Sequence, residues 1–270
     1  MVVLNWNGWP DTLRCLQSLQ KLDYPSCRLL LVDNASTDDS VDQIHHAFPN
    51  IELVQTGKNL GFGGGCNAGI RRALERHSSF VWLINSDCTV APGALREMVQ
   101  VAQRDARIGA VGSVLFEMDT PEKIQLWGGG NINCWTGQSR HRLSEGPLDF
   151  VSGASILLRS EALESVGLFD QETFFMYWED TDLSFRLRKA GWQLAAAGDS
   201  HVWHRQSASL GKDNPAREAM FTQSAVRFLR RHAMWPRISV SILLVLLFGK
   251  RALLGQGARA RAVFEGYRTA

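Results

Sequence analysis

Residues 80–87, Phe80-Val81-Trp82-Leu83-Ile84-Asn85-Ser86-Asp87, set an unbroken apolar run directly against three polar side chains. A short apolar run closed by turn-forming residues reads as a buried strand, and its polar end as the place where the strand delivers side chains to a surface. The pattern repeats upstream. Val2-Val3-Leu4 ends at Asn5-Trp6-Asn7-Gly8, and Leu29-Leu30-Leu31-Val32 ends at Asp33-Asn34-Ala35-Ser36. Ile51 to Val54 leads into Asn59-Leu60-Gly61-Phe62-Gly63-Gly64-Gly65, read as a glycine loop. Helical patterns fill the gaps: from about Pro10 with Leu13, Leu16 and Leu19 inward, from Asp38 or Asp39 to Phe48, and from Cys66 to about His77. Strands alternating with helices predict an α/β fold with a mostly parallel sheet wrapped by helices. Open sheets of this kind bind ligands at the carboxyl ends of their strands. Asn5, Asp33, the Gly61–Gly65 loop and Asp87 should therefore converge on one crevice.

The second half is less regular. Gly93 to Asp105 reads as a helix, Ile108 to Val114 as a strand, and Phe150 to Leu158 as a strand carrying Ser152-Gly153-Ala154. Between them, Thr120 to Pro147 shows no period and is expected to be a mobile excursion able to cover a ligand. A short helix is expected from Glu161 to Val166, strands at Gln193 to Ala197 and His201 to Trp203, and a basic amphipathic helix from Arg217 to Arg231. Beyond Trp235 the apolar run Ile238 to Phe248 meets Lys250-Arg251, then Arg259, Arg261 and Arg268. That is the pattern of an element lying on an anionic membrane surface, although a helix docked on the domain would look similar. The run is too short and too interrupted by serine for an ordinary membrane span.

The densest chemistry lies in Phe174-Phe175-Met176-Tyr177-Trp178-Glu179-Asp180-Thr181-Asp182, where aromatic residues lead into three carboxylates. Leu183, Leu187 and Ala190 then recur at helical spacing, and Gly191 closes the pattern. Glu179 and Asp180 thus fall at a helix N-terminus, where the backbone dipole favours an ionised carboxylate suited to act as a general base. A plain helix cap by Asp180 or Thr181 would give the same spacing. Asp87, at a strand end, could hold a divalent cation able to neutralise a departing diphosphate. In His201-Val202-Trp203-His204, side chains three apart on a strand face opposite ways. The two histidines should not share a metal, and His204, beyond the strand end, is the better placed to reach one.

Composition removes several alternatives. With 270 residues, 45% hydrophobic and 21% charged, the chain suits one α/β domain with an appendage. A net charge of +2 without a basic stripe argues against a nucleic-acid binder. Five scattered cysteines with no Cys-x-x-Cys suit reduced thiols in a cytosolic setting, and no signal peptide is read at Met1. Gly61-Phe62-Gly63-Gly64-Gly65-Cys66 fails the dinucleotide fingerprint, and no phosphate-binding P-loop motif occurs, which disfavours nicotinamide dehydrogenases and P-loop NTPases.

Taken in order, Val3-Leu4-Asn5-Trp6-Asn7-Gly8, Val32 to Asp38, Asn59 to Asn67, Asn85-Ser86-Asp87, Val151-Ser152-Gly153-Ala154 and Trp178 to Leu183 resemble the motifs of family 2 glycosyltransferases of the GT-A fold, in the rhamnosyltransferase-like branch. The resemblance covers about residues 1 to 232. It implies a nucleotide-sugar-binding half over 1–115, an acceptor-binding half over 116–232, and a separate helical tail over 233–270. It also implies inverting transfer from a nucleoside-diphosphate sugar to a hydroxyl of a saccharide, with a divalent metal, Mg²⁺ or Mn²⁺. Asp180 matches the general base, and Trp178, Glu179, Ser152 and Gly153 the acceptor side. Asn5, Asp33, Asn34, Asn59, Gly65, Asn67, Asn85 and Asp87 match the donor side, and Asp87 and His204 the metal. By the same resemblance the donor is dTDP-rhamnose and the acceptor a lipid-linked saccharide in cell-surface polysaccharide synthesis, at the inner face of the cell membrane. UDP-galactofuranose, UDP-GlcNAc and GDP-mannose remain alternative donors, and a catalytically silent sugar-nucleotide-binding module is the rival from another class. A nucleotidyltransferase would need basic residues near Asn5 to Asp11, and none is there. Two departures are notable: the metal motif carries one acid, and His204-Arg205-Gln206-Ser207-Ala208-Ser209 lacks the glycines usual in the family.

Overall fold

The computed structural model describes residues 1–205 and 214–270; Gln206 to Ser209 lie outside the described residues. The chain runs β1 (Val2–Asn5), α1 (Trp9–Leu19), β2 (Leu30–Asp33), α2 (Ser40–Ala47), β3 (Glu52–Gln55), α3 (Gly61–Glu75), β4 (Phe80–Asn85), β5 (Cys88–Val90), α4 (Ala94–Arg104) and β6 (Ile108–Glu117). It continues with β7 (Ile124–Trp127), β8 (Gly129–Asn133), β9 (Gln138–His141), β10 (Phe150–Val151), β11 (Ser155–Arg159), α5 (Ser160–Val166), α6 (Glu179–Lys189) and β12 (Gln193–His204). Three helices close it: α7 (Pro215–His232), α8 (Pro236–Leu253) and α9 (Gly257–Arg268).

Among the described residues the main sheet has nine strands in the order β3-β2-β1-β4-β11-β6-β12-β5, with β7 paired to β6. The four apolar runs that end in polar residues form its parallel half, and β1 pairs with β2 and β4 so that Asn5 lies beside Asp33 and Leu4 beside Asn85. Alternate side chains leave opposite faces, as pleating requires. Val3, Leu31 and Trp82 pack with Leu16, Ile44 and Met98 of α1, α2 and α4. Val2, Val32 and Leu83 pack with Ile70, Leu163 and Leu187 of α3, α5 and α6. Covered on both faces, these strands need apolar residues at every position, which is why they read as continuous runs rather than alternations.

Four expectations are corrected. The Gly61–Gly65 segment is the opening of α3, not a loop. A Cβ on Gly65 would run into Leu4, so the glycines there let the helix press against β1; Gly61, at φ +73°, makes the turn that starts it. Residues 120–147 carry β7, β8 and β9, and β8 pairs with β9 and β10 in a second, three-stranded sheet. The expected strand from Phe150 to Leu158 is split into β10 and β11 by Ser152-Gly153-Ala154. Finally, β12 is a single strand running to His204, with a register shift between Ala197 and His201, so His204 lies within the strand.

The tail docks in part. Ala260, Ala262, Val263 and Gly266 of α9 are buried, and the Gly266 backbone is close enough to α7 that a Cβ would strike the Ala219 carbonyl. Glu218 of α7, itself buried, pairs with Arg251 at 2.8 Å and Arg259 at 2.7 Å. The outer side of α8 is different: Val245 is 72% and Leu253 91% exposed. Among the described residues no helix is long and apolar enough to cross a membrane.

Candidate active site

The carboxyl ends of β1, β2 and β4 open into a cleft of about 410 Å³ lined by Trp6, Asn34, Asn59, Phe62, Asn85 and Asp87 among others. A larger hollow of about 590 Å³ opens beside Met1, Arg28 and Phe80, at the other end of the strands. Its charges Glu52, Arg72 and Arg76 pair with one another, and no polar strand ends converge there. The cleft at the carboxyl ends is therefore the candidate.

Its floor is a hydrogen-bond frame. Asn5 is fully buried; it donates to Asp33 Oδ1 at 2.9 Å and accepts from the Thr12 hydroxyl at 2.7 Å. Asp33 is also buried and accepts from the Ser36 hydroxyl at 2.6 Å and its N–H at 3.1 Å. Both residues shape the Asn34–Ser36 turn from below rather than lining the cleft. Asn34 donates to Asn59 Oδ1 at 3.1 Å and to the Gly61 carbonyl at 3.0 Å, and so fixes the opening turn of α3 against β2. Gly65 and Asn67, predicted to touch a donor, are not brought to the cleft. Gly65 sits beneath it against Leu4. The Asn67 amide is spent on the Phe169 backbone, donating to its carbonyl at 2.9 Å and accepting its N–H at 3.1 Å.

At one side of the cleft, Asp87 Oδ1 lies 3.4 Å from His204 Nε2, and His204 Nδ1 lies 2.8 Å from Gln125 Oε1. The pairing of β12 with β5 sets His204 opposite Cys88, which delivers the imidazole to the residue next to Asp87. The Cys88 sulfur is near enough to complete a cluster with these two ligands, but it is buried and faces the Ala154 carbonyl at 3.7 Å.

At the other side, Asp180 is half-buried. Its Oδ2 accepts the Gly153 N–H at 2.8 Å, and its Oδ1 accepts the Thr181 N–H at 2.7 Å and hydroxyl at 3.2 Å. Two bonds join this carboxylate to β4, which ends two residues before Asp87: Gly153 holds Asp180, and the next residue, Ala154, accepts the Asn85 N–H at 3.0 Å. A Cβ on Gly153 would meet both Phe62, at 3.2 Å, and Asp180, at 3.4 Å. The acid therefore stands just behind Phe62, a wall of the cleft. Burial pushes the Asp180 carboxyl above its ordinary 3.8, against the Gly153 and Thr181 hydrogen bonds that pull it down. Desolvation therefore works against the helix dipole expected to favour the charged form, and the net direction is upward.

Glu179 and Trp178 turn away from the cleft. Glu179 is buried with its Oε2 unpartnered, and burial, then the Asp180 charge, hold its carboxyl well above the usual range. The Trp178 ring packs on Phe228 and Phe221, with centroids 4.8 and 5.7 Å away, so it anchors α7 instead of facing an acceptor. Tyr177 and Trp178 both have φ of +69°, a left-handed bend costing ~1–3 kcal/mol per residue, which turns the chain sharply into α6. Ser152 donates its N–H to the Gly128 carbonyl at 3.1 Å and supports the Gly153 turn.

Other residues at the site had no signal in the sequence. Trp6, Phe62 and Met176 line the cleft; all three lie inside stretches singled out in the sequence, but nothing marked their side chains. His141 of β9 lies within electrostatic reach of both Asp180 and His204. It and Gln125 belong to the stretch in which no period could be found.

A sequence profile for the glycosyltransferase like family 2 matches residues 1–223. The N-acetylglucosaminyl-diphospho-decaprenol L-rhamnosyltransferase of Mycobacterium tuberculosis (strain H37Rv) is 32% identical over 264 residues, covering 88% of this chain and 86% of that protein. A low-salt glycan biosynthesis hexosyltransferase of Haloferax volcanii is 25% identical over 261 residues, covering 92% of this chain and 81% of that protein. Among solved structures, a Pyrobaculum calidifontis mannosyltransferase in complex with GDP-Man and Mn²⁺ superposes with a TM-score of 0.61 at 16% identity, over 98% of this chain and 84% of that one. The S. aureus TarS 1–349 complex with UDP-GlcNAc gives 0.59 at 16% identity, over 99% of this chain and 80% of that one. These likenesses identify the fold as GT-A.

Proposed function

The chain belongs to the glycosyltransferase like family 2 and is a hexosyltransferase, and on that footing we propose that it moves L-rhamnose from dTDP-rhamnose to a hydroxyl of a lipid-linked saccharide, with inversion, in cell-surface polysaccharide synthesis. The donor and the acceptor class rest on the relative named as a rhamnosyltransferase acting on N-acetylglucosaminyl-diphospho-decaprenol. The observation that carries the chemistry is the joint through Gly153 and Ala154, which ties the Asp180 carboxylate to the strand end bearing Asp87. The nucleotide lies in the cleft above Asn34 and Asn59, its diphosphate toward Asp87, and the acceptor hydroxyl approaches past Asp180. In one displacement the acceptor oxygen bonds to the anomeric carbon while the bond from that carbon to the diphosphate oxygen breaks. The electron pair leaves with the diphosphate, and Asp180 takes the hydroxyl proton. Because burial raises its basicity, Asp180 is a stronger proton acceptor than an exposed aspartate once it is ionised.

Asp87 Oδ1 and His204 Nε2 lie side by side: the carboxylate oxygen suits Mg²⁺ or Mn²⁺, and the imidazole nitrogen beside it suits the transition metal Mn²⁺ better than Mg²⁺. A cation held there would neutralise charge on the diphosphate; the Pyrobaculum mannosyltransferase carries Mn²⁺ with its own donor. Residues 1–232 serve as the catalytic unit and 233–270 as its attachment. The outer face of α8, with Ile238, Val245, Phe248 and Leu253 exposed along with Arg237 and Lys250 of the same helix, rests on anionic lipid at the cytoplasmic face of the membrane. This brings the cleft to a lipid-linked acceptor.

The test is a donor panel of dTDP-rhamnose, UDP-galactofuranose, UDP-GlcNAc and GDP-mannose, offered with a polyprenyl-diphospho-GlcNAc acceptor, with and without Mn²⁺. Transfer from dTDP-rhamnose alone is expected. Transfer from another donor overturns the substrate assignment, and binding without transfer from any donor leaves a silent module.

A further inference from the structure

Gln125 sits in β7, outside every motif that points to the site, yet its Oε1 lies 2.8 Å from His204 Nδ1. It is half-buried, and its Nε2 is buried with no partner. A side chain present for packing alone would be apolar here, because an orphaned buried donor costs about 1–3 kcal/mol. What the amide gains is the contact with the imidazole. An amide oxygen only accepts, so it selects the tautomer with the proton on Nδ1. Nε2 then carries its lone pair toward Asp87 Oδ1, 3.4 Å away. Two acceptors facing each other at that distance repel, unless a cation lies between them. Reversing the amide would put NH₂ against Nδ1 and force the proton onto Nε2, which would turn His204 into a donor to Asp87 and close the cation site.

We propose that Gln125 is a positioning residue, whose carbonyl oxygen locks the His204 tautomer and ring orientation so that Nε2 and Asp87 together take a divalent cation. This rests on the cation reading of Asp87 and His204 given above. Partners that hold the far nitrogen of a ligating histidine typically set metal affinity by ~10–100-fold.

The experiment uses the full chain with Mn²⁺ alone, titrated by electron paramagnetic resonance, and long-range ¹H–¹⁵N spectra of His204 in metal-free protein. Gln125→Met keeps side-chain length and removes the orphaned Nε2 donor but also the acceptor of the His204 Nδ1–H, so the two effects offset and it should fold with a nearly unchanged Tm. Its Mn²⁺ affinity should fall ~10–100-fold, and its His204 should lose the exclusive Nδ1–H form expected of the wild type. Gln125→Glu keeps an acceptor in place and should bind Mn²⁺ at least as tightly as the wild type. If Gln125→Met binds Mn²⁺ like the wild type and keeps the same tautomer while His204→Ala abolishes uptake, Gln125 has no positioning role and the cation site stands. If His204→Ala and Asp87→Asn bind as the wild type does, or the wild type takes up no Mn²⁺, the cation reading itself falls, and this inference with it.

Discussion

Replacing Asp180 by asparagine separates catalysis from fold at a single atom pair. The carboxylate accepts three hydrogen bonds, from the Gly153 N–H, the Thr181 N–H and the Thr181 hydroxyl. Asparagine keeps one oxygen; whichever way it turns, its NH₂ faces a backbone N–H that loses its acceptor. That mismatch costs about 1–3 kcal/mol. It is partly offset because the burial penalty on the charge disappears with the charge. Stability should therefore fall by no more than this, a loss of several degrees in Tm at most. Removing a positioned general base costs typically ~10²–10⁴ in rate, or about 3–5 kcal/mol at 1.36 kcal/mol per decade, so the rate loss outweighs the structural one. Donor affinity should not change, since Asp180 stands behind Phe62 rather than lining the cleft proposed to hold the nucleotide. Three measurements on Asp180→Asn decide it: single-turnover rhamnose transfer, calorimetric titration of dTDP-rhamnose, and a thermal melt. A folded variant with wild-type donor affinity and turnover within about tenfold of the wild type would remove Asp180 from the role of base.

The same carboxyl sets a pH limb: the base works ionised and burial raises its pKa, so kcat should decline with falling pH from a point above 3.8; a flat profile down to 3.8 would contradict it. Glu179, held well above its ordinary 4.5, binds a proton in the native state that the unfolded chain has already released. Stability should therefore fall as pH rises from 4.5 through the folded value, and denaturant titrations of Glu179→Gln should lack that slope. Val245→Glu with Leu253→Glu, both on the outer face of α8, should release the protein from anionic vesicles in a flotation assay at unchanged Tm; retained flotation would refute the membrane face.

The parallel half of the sheet was legible because its strands are covered on both sides, and only apolar residues suit both faces. The convergence of polar strand ends was legible for the same reason: once the runs are parallel neighbours, Asn5, Asp33 and Asn85 must finish together. The glycine segment was misread because glycine weakens a helix in isolation, whereas here α3 packs so close to β1 that a Cβ at Gly65 would meet the Leu4 methyls. Residues 120–147 hid three strands because all three are short, β8 opens on two glycines, and β9 is exposed along its whole length; such segments impose no clear period, and Gln125 and His141 went unseen with them. The upward pull on the Asp180 carboxyl was missed for a related reason. A helix dipole can be inferred from spacing, but the desolvating surroundings of the acid come from segments distant in the chain.

Trp178 shows how the readable and unreadable parts depend on each other. Its position beside the acids suggested an acceptor platform, yet its ring is locked between Phe221 and Phe228 of α7. The cluster it joins extends through Phe174 and Leu229 to Val240 and Leu243 of α8. The left-handed bend at Tyr177 and Trp178 is unfavourable by itself, so the packing on α7 and α8 is what keeps it, and with it the start of the helix that carries Asp180. Asp182, one turn into that helix, is clamped from the same side by Arg231 at 3.0 Å and His232 at 2.8 Å. The C-terminal helices are therefore part of what orients Asp180. Cutting the chain after Trp235 would strip α8 and α9 from this cluster and leave Glu218 without Arg251 and Arg259. Loss of membrane binding in such a truncation would be confounded with loss of structure, whereas substitutions confined to the outer face of α8 probe attachment alone.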